Sequence, residues 1–381
     1  MLTEPGCLTR RARLWQRLPA GVNSVLITAP QQLMYFANFD ASPYVFNSQE
    51  ASAALLLTRD GEAILIADNP QGPFSQKAFV STRVEPLWYR CVEAAPHRGR
   101  LLADAVVELL KSRAPGVLGI EASRVPFAIC DWMRVAGLKT EFRDVDADIR
   151  ALRRKKEPDE LNLIIGSLRS AERALATARK EIRPGMTELD VYRLVLRVAS
   201  EAAGEPVLVY GDFVSGPRCE EGGGPASDRV IGEGELVLLD YSVVSHGYRG
   251  DFCVTFVCAG KATPKQLEMY NACLAALKAG AESLRPGVTG REVYAACRQP
   301  LVEAGLAAYF PHHAGHGVGL GHPEPPYLVP ESDEVVEVGD VVTLEPGLYI
   351  PGVGGMRYEH NFVITETGSE RISEHSLEIE N

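Results

Sequence analysis

No apolar run in this chain of 381 residues is long enough to cross a bilayer, which takes about 20 residues. The first thirty residues also lack the uninterrupted apolar core of a secretory signal peptide. Basic residues are in the minority, with 39 Lys and Arg against 50 Asp and Glu and a net charge of −11. A phosphate backbone would call for a basic surface, so we expect neither nucleic acid nor a membrane as partner and predict a cytoplasmic location.

Cysteine occurs without the CxxC pairs or the density of a disulfide scaffold, so we expect mostly free thiols. The eight cysteines are scattered: Cys7, Cys91, Cys130, Cys219, Cys253, Cys258, Cys273 and Cys297. With 46% hydrophobic residues the chain can bury one large core or two smaller ones. Its length favours two domains.

Alternating helix and strand patterns in the first 150 residues predict an α/β domain. The order is an amphipathic helix, a strand, a hairpin, a second helix and a short buried strand. The first helix covers residues 8–17, the strand is SVLITAP, and the hairpin is AALLLTRDGEAILIADN with its turn at residues 59–61. The second helix is RLLADAVVELLKSRAP, and the buried strand is GVLGIEAS.

The charged segment RALRRKKEPDE, residues 150–160, follows this domain. Such a run is usually solvated and often a linker, so we place the domain boundary there, with domains of residues 1–150 and 151–381. A long helical pattern begins within this segment and ends at residues 183–185, Arg-Pro-Gly.

The second half contains an internal repeat. RPGMTELDVY, residues 183–192, recurs as RPGVTGREVY, residues 285–294, and each copy has a Thr able to cap the next helix. GELVLLD, residues 234–240, recurs as GDVVTLE, residues 339–345. The copies lie 102 and 105 residues apart, so the register is nearly kept. We predict two halves related by a pseudo-two-fold axis.

Each half of the repeat carries two acidic residues on or after apolar strands. The axis should bring Asp240 opposite Glu345 and Asp251 opposite Glu359. A single buried acid could be explained by pairing with an arginine, but four carboxylates brought together would repel one another and raise their pKa values. Divalent cations remove this conflict. Four carboxylates and an imidazole suit a centre of two divalent metal ions, and the oxygen ligands favour Mn over Co, Zn or Fe.

A candidate for the imidazole lies in PHHAGHGVGLGHPEPP, residues 311–326, which holds four histidines. We choose His316 as the metal ligand. Taken alone, the stretch could also be a polar surface loop. A phosphate-binding glycine loop is excluded because the Walker lysine and the GxGxxG spacing after a strand are lacking.

In type and order these residues resemble the pita-bread metallohydrolases, which include aminopeptidase P, prolidase, methionine aminopeptidase and the metal-free creatinase. The matching positions are Asp240, Asp251, His316 in GHGVGL, Glu345 in LEPGLYI and Glu359 in RYE. The resemblance implies an α/β (α+β) chain with a smaller N-terminal creatinase-like domain and a C-terminal pita-bread domain. It implies an Xaa-Pro peptidase that uses a metal-bridging hydroxide, acts on small peptides and forms a homodimer.

The resemblance also implies individual roles. Asp240 and Glu345 would each serve one metal, while Asp251 and Glu359 would bridge both. Glu345 would also accept a proton from the reacting water, and Arg357 would steady the ligand carboxylates.

One departure from the family pattern concerns catalysis. Peptidase members carry a second histidine seven residues after the GHG histidine, but here that position is Pro323 and the nearest imidazole is His322. On a strand this shift would turn the side chain to the other face, whereas in a loop His322 could still reach the site. We take His322 as the candidate catalytic imidazole and His312 as the candidate substrate-binding histidine.

Two further departures lie elsewhere. About seventeen residues before Asp240, where the peptidases have a histidine, this chain has Gly222–Gly224. Cys253 replaces a threonine that the family usually has beside the second aspartate. This residue could contact the ligand residues without binding the metal itself. Three other histidines are expected at the surface or in contact with the ligand residues rather than with the metal: His246, His313 and His360.

Two other functions remain open at this stage. The missing imidazoles would suit a hydrolase of non-peptide C–N bonds, or a lyase, on the same metal scaffold. A catalytically silent binding protein of the same fold is the other alternative, although such a protein would have no need of five intact metal ligands.

Overall fold

The computed structural model describes residues 1–40 and 53–380. The chain forms two compact units, Met1–Leu152 and Arg153–Asn381. Within the described residues, no helix is both long enough and apolar enough to span a membrane. All eight cysteines are free thiols, as the sequence predicts.

The first unit is built around one six-stranded mixed sheet. Its strands are β1 Ser24–Ile27, β2 Ala54–Thr58, β3 Ala63–Ile66, β4 Thr82–Val84, β5 Val117–Ile120 and β6 Glu141–Asp144, in the order β4-β3-β2-β1-β5-β6. Its helices are α1 Glu4–Arg17, α2 Pro30–Ala37, α3 Gly72–Ser75, α4 Arg98–Arg113, α5 Phe127–Val135 and α6 Asp146–Leu152. Apolar side chains of the sheet pack on α4 and α5 to form the core of this unit.

The helices and strands predicted from periodicity in this unit are confirmed, and the structure adds α2, α3, α5, α6, β4 and β6. Helix α1 begins at Glu4 rather than at residue 8, because the Thr3 side chain accepts a hydrogen bond from the Gly6 N–H and Pro5 fits the first turn. The irregular section before α4 contains the short strand β4, which pairs with β3 in parallel. The hairpin of β2 and β3 is antiparallel.

The second unit contains four helices and three sheets among its described residues. The helices are α7 Pro158–Glu181, α8 Glu188–Ala203, α9 Pro264–Ser283 and α10 Gly290–Glu303. The strands are β7 Leu208–Ser215, β8 Leu236–Ser245, β9 Tyr248–Val257, β10 Gly315–Gly317, β11 Glu324–Leu328, β12 Val341–Leu344, β13 Gly347–Ile350, β14 Gly354–Arg357, β15 His360–Thr365 and β16 Gly368–Arg371. The sheets are β7-β8-β9, β11-β10-β12-β15-β16 and the hairpin β13-β14.

Equivalent local contacts in the two halves confirm the internal repeat. Thr187 and Thr289 each cap a helix and form a reciprocal capping box with the acidic residue three positions later. Each threonine also forms an isolated antiparallel bridge, Thr187 with Val230 and Thr289 with Val335. In both halves, therefore, the residue that caps the helix also pairs with the segment that leads into a later strand.

The charged segment between the two halves of the sequence is not a solvated linker, and that expectation is wrong. Lys156 donates to the buried Glu324 at 2.8 Å, and Arg153 contacts the same carboxylate. Arg154 donates to the buried Asp340 at 2.6 Å. A buried carboxylate is unfavourable without a partner, so these basic side chains are held in place by acids far away in the sequence.

Candidate metal centre

One cavity of about 520 Å³ in the second unit collects nearly all of the predicted site residues. Its lining includes Asp240, Asp251, His312, His316, His322, Glu345 and Arg357. Strand register explains part of this arrangement. In the β7-β8-β9 sheet Asp240 lies directly opposite Cys253, and Ser242 lies opposite Asp251, so Asp240 and Asp251 project from the same face.

Strand β10 presents His316 between two glycines. A Cβ atom on Gly315 would lie 2.0 Å from the Thr343 carbonyl oxygen, and one on Gly317 would lie 2.2 Å from the Pro325 carbonyl oxygen. Both flanking positions therefore exclude a side chain. The Nδ1 atom of His316 lies 2.9 Å from the carbonyl oxygen of Gly317, which places the proton on Nδ1 in the neutral ring and leaves Nε2 as a ligand atom.

The acidic and imidazole groups converge around His316 and Glu345. The Nε2 atom of His316 lies 3.2 Å from Oε1 of Glu345 and 3.9 Å from Oδ2 of Asp251. In three groups, one ligand atom from each residue lies within 4.8 Å of the others: Asp251, His316 and His322; His313, His316 and Glu345; Asp240, Glu345 and Glu359. All five predicted ligands are thus brought together.

The electrostatics of this cluster call for added positive charge. Burial raises the pKa of Asp240 to about 7, although Arg357 opposes the shift. Burial, together with the charges of Asp251 and Glu345, raises the pKa of Glu359 well above its usual range. Glu359 Oε1 is buried and has no hydrogen-bond partner among the described residues. Divalent cations would supply both the missing charge and the missing partner, so the donor set fits a metal centre.

The negative charges of Glu345 and Asp251 are stabilised by nearby protein groups, unlike that of Glu359. Burial would raise the pKa of Glu345, but the hydrogen bond from His313 and the charge of His316 lower it overall. Asp251 shows the same balance, with His322 as the stabilising partner. These two carboxylates therefore already contact the histidines of the site.

Arg357 ties the cluster to the cavity wall. Its Nε donates to Oδ2 of Asp240 at 2.6 Å, and its Nη2 donates to Oδ2 of Asp212 at 3.0 Å. Its Nη1 donates to the Tyr349 hydroxyl at 2.6 Å and to the Gly222 carbonyl at 2.9 Å. The planar guanidinium thus fixes the orientation of Asp240.

Sequence reasoning missed Asp212, which lies in the segment VYGDFVS of β7. It is the register partner of Asp240, a relation that only strand pairing reveals. Gly223 lies at the position where the family pattern has a histidine, and a Cβ atom there would lie 2.1 Å from Oδ2 of Asp212. The Asp212 carboxylate therefore excludes a side chain at this position.

His322 lies in the connection between β10 and β11 and reaches the cavity. Its Nε2 is 2.7 Å from Oδ2 of Asp251, and its ring centroid is 4.8 Å from that of His316. Burial lowers the pKa of His322, but the hydrogen bond to Asp251 raises it overall. Because the residue belongs to a loop and not to a strand, the one-residue shift does not turn its side chain away.

His312 and His313 both line the cavity. The Nε2 atom of His312 lies 3.3 Å from the Tyr349 hydroxyl oxygen, and burial lowers the pKa of His312 to about 4, which keeps the ring neutral. His313 was not expected among the residues of the cavity wall. Its Nε2 lies 3.2 Å from Oε1 of Glu345, in direct contact with a predicted ligand.

Two further histidines that the sequence analysis considered, His246 and His360, lie outside the cavity lining. His246 follows β8 at the turn to β9, and its Nε2 lies 3.0 Å from Oε1 of Glu205. His360 is buried, with Nδ1 2.9 Å from the Ser373 hydroxyl oxygen.

The fold and the buried carboxylate and histidine cluster define a metal-dependent hydrolase, and comparison with known proteins identifies its family. Residues 163–366 match the metallopeptidase family M24, and residues 10–155 match the creatinase/prolidase N-terminal domain. The chain belongs to metallopeptidase family M24. It is a metal-dependent peptidase, which confirms the predicted enzyme class, and the family implies divalent metal ions as cofactors.

Several relatives are similar along most of their length. An Xaa-Pro dipeptidase of Pyrococcus horikoshii is 34% identical over 267 residues, which is 69% of this chain and 74% of that protein. The solved structure of an Xaa-Pro dipeptidase from Bacillus anthracis is 28% identical, with a TM-score of 0.85 over 98% of this chain and 100% of that one. A prolidase structure from Pyrococcus horikoshii is 28% identical, with a TM-score of 0.82 over 97% and 99%. The predicted fold class is thereby confirmed.

Proposed function

We propose that this protein is a dinuclear metal-dependent peptidase that cleaves the peptide bond before proline in small Xaa-Pro peptides. Overlapping groups of ligand atoms join four carboxylates and His316 in one cluster, and one oxygen of Glu359 has no partner among the described residues. This cluster carries the proposal. Similarity to Xaa-Pro dipeptidases supports the choice of substrate. Mn is our first choice of metal because oxygen ligands dominate the site, with Co, Zn or Fe as alternatives.

The family resemblance supports the ligand roles. Asp240 and Glu345 would each hold one ion, Asp251 and Glu359 would contribute to both, and His316 would complete the set. When bound, the ions lower the pKa of a water molecule and polarise a substrate carbonyl group. Glu345 accepts the proton of the attacking water at a carboxylate oxygen, which requires that this carboxylate face the cavity.

The remaining residues bind and orient the substrate. His322 contacts the substrate from the Asp251 side of the cavity, as a displaced equivalent of the imidazole lacking at Pro323. His312 stays neutral beside Tyr349 and contacts the substrate from the other wall. Arg357 is a positioning residue, because its donors are taken up by Asp240, Asp212 and Tyr349. A homodimer and a cytoplasmic location complete the proposal.

Peptide hydrolysis by the Mn-loaded protein tests the proposed substrate. We expect Xaa-Pro dipeptides to be cleaved with a kcat/KM at least roughly tenfold above that of matched Xaa-Ala dipeptides, because the cavity must select the proline ring by shape. Longer Xaa-Pro peptides belong in the same panel. Absence of turnover for every peptide, in protein shown to carry two metal ions, would contradict the peptidase proposal and favour a non-peptide C–N bond as the substrate.

A further inference from the structure

The connection between β10 and β11, residues 318–323, carries His322 of the cavity wall. The backbone at its start is fixed, because the Val318 N–H donates to the Val341 carbonyl oxygen at 2.9 Å. Its second half contains Gly321 and leads directly to His322. The position of the His322 ring therefore depends on what holds this second half.

A buried group of charges holds the second half of the connection. The Gly321 N–H donates to Oε2 of Glu324 at 3.1 Å. Lys156 donates to Oε1 of the same carboxylate at 2.8 Å, and Arg153 contacts Oε2. The side chains of Lys156 and Glu324 are only 2% and 5% exposed. Burial would raise the pKa of Glu324, but Lys156 and Arg153 lower it overall, so the carboxylate is ionised. We call Arg153, Lys156 and Glu324 the anchor cluster.

Two glycines of the connection lie directly against the anchor cluster. A Cβ atom on Gly319 would lie 2.6 Å from Oε1 of Glu324 and 3.0 Å from Cε of Lys156. A Cβ atom on Gly321 would lie 2.8 Å from Oε2 of Glu324 and would also meet the Arg153 guanidinium. Glycine at both positions allows the backbone of the connection to pack onto the charged side chains.

The anchor cluster lies outside the cavity. Arg153, Lys156 and Glu324 are absent from its lining among the described residues, so their effect on a substrate passes through the connection. At the end of the connection, Nε2 of His322 lies 2.7 Å from Oδ2 of Asp251. A misplacement of about 1 Å at a catalytic group can cost roughly 10²-fold in rate, so a rigid connection matters for catalysis.

We propose that Arg153 and Lys156 are positioning residues for His322, which they hold in place through Glu324 and the backbone of residues 318–323. The inference rests on the proposed function, since the substrate contact of His322 belongs to it. It gives the charged segment of residues 150–160 a role in catalysis, although none of its basic residues touches the substrate.

Lys156→Met tests the anchor cluster in the Mn-loaded protein. The substitution removes one positive charge and leaves Arg153 paired with Glu324. We expect kcat on an Xaa-Pro dipeptide to fall roughly tenfold while KM stays within about twofold, because the imidazole is misplaced and the metal ligands are untouched. Lys155→Met is the matched control. This neighbouring lysine is exposed and lies against Gly339, so its loss should leave kcat and KM unchanged.

The same substitution in a His322→Ala background separates positioning from a general structural effect. With the imidazole gone, Lys156→Met should change kcat by less than about twofold, because the two residues act through one contact. A full tenfold loss in that background, or parental kinetics of Lys156→Met alone, would overturn the inference. Arg153→Gln keeps the pair of Lys156 and Glu324 and enters the same cycle if Lys156→Met does not fold.

Amide hydrogen exchange of residues 318–323 separates this inference from the proposed function. We expect at least roughly tenfold faster exchange in Lys156→Met than in the parent, because the Gly321 N–H loses a fixed acceptor, and parental exchange in Lys155→Met. Absence of turnover by the parent would contradict the peptidase proposal but not the anchoring. Unchanged exchange in Lys156→Met would overturn the anchoring whether or not peptides are cleaved.

Discussion

Glu345→Ala is expected to lower kcat/KM at least roughly 10³-fold and to weaken metal binding in the same variant. The two effects would have one cause, because we propose Glu345 both as a metal ligand and as the proton acceptor. Its Oε1 lies 3.2 Å from Nε2 of His316 and accepts a hydrogen bond from the Thr343 hydroxyl at 3.0 Å, so the carboxylate is held in place before any substrate arrives. Metal content by plasma mass spectrometry and steady-state kinetics on one preparation measure both effects.

Glu366→Ala provides the matched control, since Glu366 lies exposed in the turn between β15 and β16. It should keep parental activity and metal content. A Glu345→Ala protein with full metal occupancy and unchanged turnover would show that the ligand and proton-acceptor roles have been assigned to the wrong residue.

His322→Ala is expected to lower kcat by about 10²-fold, the usual contribution of a positioned imidazole, while the metal content stays near that of the parent. The reason is geometric. The ring of His322 lies on the cavity wall beside Asp251 and is partly exposed, so it can contact substrate, and four carboxylates and His316 remain to hold the ions. A larger effect on kcat than on KM would place the contact in the transition state rather than in substrate binding alone.

His246→Ala tests whether the loss is specific to His322. This histidine is outside the cavity lining and faces Glu205, so its removal should leave kcat and KM unchanged. Kinetics of His322→Ala that equal those of the parent would remove His322 from the catalytic residues and leave Pro323 without a functional substitute.

The clustering of the five proposed metal ligands could be predicted from the sequence because their signal is repeated and local. Asp240 and Glu345 end matching apolar strands, and the Thr187 and Thr289 capping boxes mark the same step in both halves. His316 was selected from a histidine-rich and glycine-rich stretch that matches the GHG pattern of the pita-bread family. The structure shows why glycines flank it, since a Cβ atom at either position would meet neighbouring backbone. The repeat, the residue types and the family pattern together were sufficient for these positions.

Other parts of the site depend on contacts that no local pattern records. Asp212 contacts Arg357 only because β7 pairs with β8 in a particular register. The sequence around a single aspartate in a strand does not indicate this partner. The reach of His322 depends on the path of the connection between β10 and β11. The same holds for His313, whose contact with Glu345 is decided by loop geometry.

The charged segment at the start of the second unit shows a similar limit. A run of basic residues is normally solvated, and nothing near Lys156 indicates otherwise. Its partner Glu324 is buried and lies 168 residues away. Long-range charge pairing of this kind becomes visible only once the fold brings the two segments together.

Activity as a function of added metal tests the central claim of a dinuclear centre most directly. Metal-free protein should be inactive on an Xaa-Pro dipeptide, bind two Mn ions per chain, and regain full activity only as the second ion binds. Full activity at one bound ion per chain, or activity that survives complete removal of metal, would contradict the assignment of four carboxylates and His316 to a two-metal hydrolytic site.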